Sequence, residues 1–97
     1  MHASGIRMGR TEAKGNQRKH GISFDEACTV FDDPLARIFS DEDHSNGEQR
    51  EIILGHSILE RLLLVSFAEH GPDTVRIISA RKATRKEQKD YEEIIGS

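Results

Sequence analysis

Three observations place this chain among small α+β domains. Two helix-opening signatures, Ser23 with Glu26 and Thr84 with Glu87, stand toward opposite ends. Between them lie apolar runs of strand length, separated by turn formers such as Asn46-Gly47 and His70-Gly71-Pro72-Asp73. Short turns between successive strands favour an antiparallel meander, with the helices packed against it. The expected order is helix, helix, three or four strands, helix. A chain of 97 residues has room for one core, so a single domain is expected over residues 11–97.

Each element has a local cause. Residues 1–10 show no clear period and read as a flexible or degenerate lead-in. Residues 11–19 suit a short polar helix, with His20 in its last turn and Gly21 as its stop. Ser23 and Glu26 then form a capping-box pattern. Phe24, Ala27, Cys28 and Phe31 follow as an apolar stripe at helical spacing. Pro34 disfavours helical geometry before it, so this helix ends at Asp32 or Asp33. Leu35 to Phe39 is a short strand, and residues 41–49 are a hydrophilic loop. Glu51 to Gly55 is a strand, followed by a loop through His56 and Ser57. Leu62 to Phe67 is the most apolar run and fits a central strand. Thr74 to Ala80 is the next strand. The last helix runs from about Ala83 to Ile95, with Ala83, Tyr91, Ile94 and Ile95 as its sparse apolar positions. So weak a stripe packs on the sheet or needs a partner.

Hydrophobic residues are 35% and charged residues 32%, a lean but globular balance. A formal net charge of −3 argues against nucleic-acid binding by overall charge. The distribution is uneven. Arg7, Arg10, Lys14, Arg18 and Lys19 face only Glu12 in the first twenty residues. Nine acids between residues 25 and 51 face only Arg37 and Arg50. Basic ends and an acidic middle permit a local phosphate site, or plain internal compensation. Cys28 is the lone cysteine, which excludes an internal disulfide and reads as a small core residue. No run reaches transmembrane length and no signal-peptide core follows the start. The expected location is the cytoplasm, without a membrane partner.

The run Val75-Arg76-Ile77-Ile78-Ser79-Ala80-Arg81-Lys82 carries arginines within an apolar strand. Burying an arginine is costly unless an anion meets it, either a carboxylate of the fold or a phosphate of a ligand. Arg76 and Arg81 are five positions apart, so ideal alternation sends them to opposite faces. A bulge or strand end near Ser79 would bring them together. Lys19 and His20 adjoin a forced turn and can border one concavity, as a phosphate-neutralising cation and a proton carrier. A solvated lysine and a capping histidine are the simpler account. Glu48 and Arg50 point the same way in an extended segment, as a base beside a phosphate clamp or as a surface ion pair. His44, His56 and His70 match no metal spacing. Asp41, Asp43 and Asn46 lack the rest of a calcium loop. No metal and no cofactor are expected.

The string Asn16-Gln17-Arg18-Lys19-His20-Gly21-Ile22-Ser23-Phe24-Asp25-Glu26-Ala27 resembles the opening motif of the BrnT family of bacterial type II toxins. Val30-Phe31-Asp32-Asp33-Pro34-Leu35 continues it. Glu48 to Arg50 and Gly55-His56-Ser57 resemble its middle. Arg76 to Ala83, with Glu87 and Tyr91, resembles its C-terminal signature. The resemblance covers about residues 12–93. It implies a fold related to the RelE and ParE toxins and a ribonuclease that arrests translation. It also implies a cognate BrnA-like antitoxin, dimeric, binding operator DNA on behalf of a hetero-oligomer. Metal-free RNA cleavage uses the substrate's own 2'-hydroxyl, with cations on the phosphate and a proton-transfer group beside it. On that basis Arg81 and Arg76 act on the phosphate and Lys19 and Arg50 assist. His20 or Glu48 moves the proton, and Lys14, Arg18, Lys82 and Tyr91 bind substrate. The family pattern usually opens with a strand ending in Trp-Asp, then a lysine. Met8, Gly9 and Glu12 stand at those places, and the chain has no tryptophan. A second reading is therefore a toxin-like protein with weak or no nuclease activity, retained to bind the antitoxin and regulate the operon.

Overall fold

The computed structural model describes residues 5–8, 10–40, 50–69 and 74–96. They form β1 (Gly5–Met8), α1 (Arg10–His20), α2 (Phe24–Thr29), a 3-10 turn (Val30–Asp32), β2 (Arg37–Ser40), β3 (Arg50–His56), β4 (Leu62–Glu69), β5 (Thr74–Lys82) and α3 (Arg85–Ile95). The sheet has the order β1-β5-β4-β3-β2. Strands β2 to β5 are the expected antiparallel meander. A fifth strand, β1, joins parallel to β5, with Ile6 opposite Val75 and Met8 opposite Ile77. The sequence reading expects only an irregular lead-in there. An edge strand of four residues needs backbone pairing more than a repeating apolar pattern, so composition gave little sign of it. The turns expected at Asn46-Gly47 and His70-Gly71-Pro72-Asp73 lie outside the described residues. Among the described residues no helix is long and apolar enough to cross a membrane.

One face of the sheet carries the core. Leu63, Val65 and Phe67 of β4, Ile53 of β3, and Val75, Ile77 and Ala80 of β5 are buried on it. Ile22, Phe24, Ala27, Val30 and Phe31 cover them from the α2 side. The Phe31 ring meets Phe67 edge-on, with centroids 5.1 Å apart. Each such side chain contributes about 1.5–3 kcal/mol by leaving water. The opposite face takes α3, whose Tyr91 is 1% exposed.

Local chemistry sets the ends. Gly21 adopts φ +72, and its N–H donates to Gln17 O at 2.9 Å, closing α1. That left-handed conformation is the reason for glycine there. Thr84 and Glu87 form the full capping box on α3. The capping box expected on α2 is only half made. Ser23 Oγ accepts from the Glu26 N–H at 3.0 Å, but the Glu26 carboxylate turns inward instead. It accepts from Ser57 Oγ at 2.7 Å, from Arg61 Nε at 2.9 Å and from Arg61 Nη2. A buried carboxylate is tolerable with several donors and a cation around it. The expected strand at Leu35 starts later, at Arg37. Asp33 Oδ1 accepts from the Leu35 N–H at 2.9 Å, and Asp33 O from the Ala36 N–H at 3.1 Å, which fold Pro34-Leu35 into a turn.

Candidate functional site

A bulge in β5 decides which face the arginines share. Ser79 pairs with Ser66 and Ile77 with Phe67, so Ile78 has no opposite residue. Val75, Ile77 and Ala80 all remain in the core. Arg76 before the bulge and Arg81 after it therefore project to the same face, the one not covered by α2. The alternation expected for five positions is broken by one inserted residue.

Arg50 of β3 pairs with Ala68 of β4, and Ala68 with Arg76 of β5. The three form one row across the sheet. Strand spacing sets the Arg50 and Arg76 backbones roughly 10 Å apart, with only an alanine methyl between them. Arg7 of β1 holds the register position beside Arg76. Arg50 is half-buried, and its Nε is a buried donor with no hydrogen-bond partner among the described residues. Such a donor is costly in a resting fold and suits an incoming anion. Ser66 and Ser79 form the next row on the same face.

Arg81 ends this face differently. Its fork grips Glu87, Nη1 to Oε1 at 2.8 Å and Nη2 to Oε2 at 2.9 Å. Glu87 also accepts from the Thr84 N–H at 2.8 Å. The Arg81 hydrogen bonds hold the Glu87 carboxyl down to about 2, against the pull of burial. Arg81 thus ties α3 to the sheet. Glu48 lies outside the described residues. Lys14, Arg18 and Lys19 are exposed on α1, and His20 is half-buried at its end. These four share a helix at the sheet edge and do not belong to the arginine row. Lys82 is exposed at the end of β5. Tyr91, expected beside the substrate, is buried, so its ring does not offer a stacking surface. Its hydroxyl donates to Asp33 Oδ2 at 3.4 Å, and its ring meets His56 edge-on at 5.5 Å. Burial, then the Asp33 charge, pushes the Tyr91 hydroxyl up.

Sequence reasoning missed two supports. Asn16 is buried, and its amide accepts from the Ala80 N–H at 2.9 Å and donates to Ala80 O at 2.8 Å. It also donates to Ile22 O at 3.0 Å. Asp33 joins the β2 turn, the His56 N–H at 2.7 Å and Tyr91. An Asp before Pro is a known turn starter and could have marked the second. Nothing local marked the first.

A family profile described as the ribonuclease toxin BrnT of type II toxin–antitoxin systems matches residues 10–87. The fold is similar to a crystal structure of the Brucella abortus ribonuclease toxin BrnT. The TM-score is 0.63 at 21% identity, covering 82% of this chain and 96% of that one. No curated protein matches the chain. With that profile spanning residues 10–87 of the 97, this chain belongs to the BrnT family of ribonuclease toxins of type II toxin–antitoxin systems.

Proposed function

We propose that this chain cleaves RNA without a metal at the arginine row on the α3 face of the sheet, inhibits translation, and is held inactive by a BrnA-like antitoxin. The observation that carries the reading is the row of Arg50 and Arg76, with the buried Arg50 Nε that has no hydrogen-bond partner among the described residues. Two guanidinium groups flanking a small residue suit the non-bridging oxygens of one phosphate. The substrate's 2'-oxygen attacks phosphorus, the bond to the 5'-oxygen breaks, and the products are a 2',3'-cyclic phosphate and a 5'-hydroxyl. Of the two proton-transfer candidates, His20 sits on α1 away from the row, so the proton leaving the 2'-hydroxyl goes to Glu48, two positions before Arg50 in the sequence, and the departing 5'-oxygen takes one up from water. Arg50 and Arg76 offset the charge that grows on the phosphoryl oxygens. Arg81 supports the end of this face through its grip on Glu87. Lys14, Arg18, Lys19 and Lys82 attract the backbone at longer range. Operator DNA is reached only through the antitoxin.

Cleavage of a labelled single-stranded RNA in EDTA tests the reading, with Arg76→Ala and Arg50→Ala beside the wild type. Each substitution is expected to slow cleavage about 100-fold or more while the melting curve stays near wild type. Unchanged rates in both variants would remove the row from the mechanism. The second reading, a catalytically weak antitoxin-binding subunit, draws support from Met8 and Gly9 standing in the sequence where the family pattern has Trp-Asp. Folded wild type that cleaves no RNA, free or ribosome-bound, would establish that reading instead.

A further inference from the structure

The face that carries the arginine row changes chemistry along its strands. Two residues away, roughly 7 Å along β3 and β4, Ile52 pairs with Ser66. Phe39 of β2 extends that row beyond Ile52, and Ser79 of β5 extends it beyond Ser66. Across the sheet the row is thus a ring, an aliphatic chain and two hydroxyls. Its apolar half opens into a cleft of about 630 Å³ between the sheet and α3. Phe39 from the sheet and Ile94 from the helix line it and are each 43% exposed. Ile52, Leu54 and Leu64 form the floor. Among the described residues no cation lines the cleft, and its charged members, Glu87, Asp90 and Glu93, are acids.

A row of hydroxyls beside a phosphate clamp suits a sugar, and an exposed ring above an aliphatic floor suits a flat heterocycle. We infer that the cleft is a base-binding subsite of the nuclease. With the scissile phosphate between Arg50 and Arg76, the adjoining ribose lies over Ser66 and its base enters the cleft to stack on Phe39. The inference rests on the nuclease reading above and extends it from the phosphate to the base. A lining with acids and no cation disfavours a phosphate, so the nucleotide is oriented with its phosphate at the row and its base inward. Stacking is present both before and during bond breaking. Phe39 is therefore a substrate-binding residue, whose loss raises KM and leaves kcat in place.

Steady-state cleavage of a short single-stranded RNA tests the subsite, beside two copies of that RNA that each lack one base, 5' or 3' of the scissile bond. Phe39→Ala removes the ring and Phe39→Tyr keeps it. Ile38→Ala is the control, on the same strand but opposite Ile53 of the core, and so on the other face. Phe39→Ala and one of the two abasic substrates are each expected to raise KM roughly tenfold with kcat near wild type, and the two together no further. Phe39→Tyr and Ile38→Ala stay near wild type. A wild-type KM in Phe39→Ala, a wild-type KM for both abasic RNAs, or ring and base effects that add in full overturns the subsite and leaves the nuclease reading standing. An equal rise in Ile38→Ala also overturns it, because the edge strand and not the ring is then the cause. Folded wild type that cleaves no RNA overturns the nuclease reading and the subsite together.

Discussion

Glu87 serves the start of α3 and the end of β5 with one carboxylate. Bidentate pairing to a guanidinium is stronger than a simple surface ion pair, because both partners are held in plane and partly shielded from water. Its folded pKa is depressed, so its contribution is present above the ordinary carboxyl value and lost as the acid form takes over. Glu87→Gln is expected to lower stability by about 1–2 kcal/mol at neutral pH, measured by urea denaturation. The gap between variant and wild type should close as pH falls from 4.5 to about 2. A gap that stayed constant through that window would show that the loss has another source. The pairing was half legible. Thr84 and Glu87 announce a capping box, but nothing in the spacing says that the same carboxylate also takes Arg81.

The strands were legible and the joints between them were not. Apolar runs and turn residues outline β3, β4 and β5 because a strand buried on one face must repeat its pattern. The bulge at Ile78 breaks that pattern without a glycine to mark it, so Arg76 and Arg81 read as opposed when they share a face. Gly55 is another joint. A Cβ there would stand 2.8 Å from Ala36 Cβ and 3.2 Å from Ala36 Cα, where the turn before β2 crosses β3. Gly55→Ala is expected to destabilise by about 1–3 kcal/mol, seen as a lower Tm, because the neighbour is backbone with little room to give. A Tm at or above wild type would mean that the turn shifts freely. The sequence places Gly55 at a strand end and gives no hint that another segment presses on it.

At the scale of the whole molecule, the sheet separates two tasks. One face buries the apolar residues that hold α2 and the 3-10 turn, and the other keeps arginines and an apolar cleft within reach of partners. The chain's acidic total conceals this, since charge counts carry no information about faces. The site supports were hidden for a related reason: Asn16 and Ala80 are 64 residues apart. Their contact has a consequence for motion. β1 pairs with β5 only as far as Ile77, and beyond it the Asn16 amide occupies the place of a neighbouring strand at Ala80. The Ala80 amide proton is therefore guarded by a helix and not by the sheet to which it belongs. Its exchange with solvent should follow fraying of the last turns of α1, while the β4 amides exchange with global unfolding. Asn16→Ala is expected to speed deuterium uptake at Ala80 by roughly tenfold or more and to leave Val65 near wild type. Uptake at Ala80 that stayed slow in the variant would show that another group seals that edge.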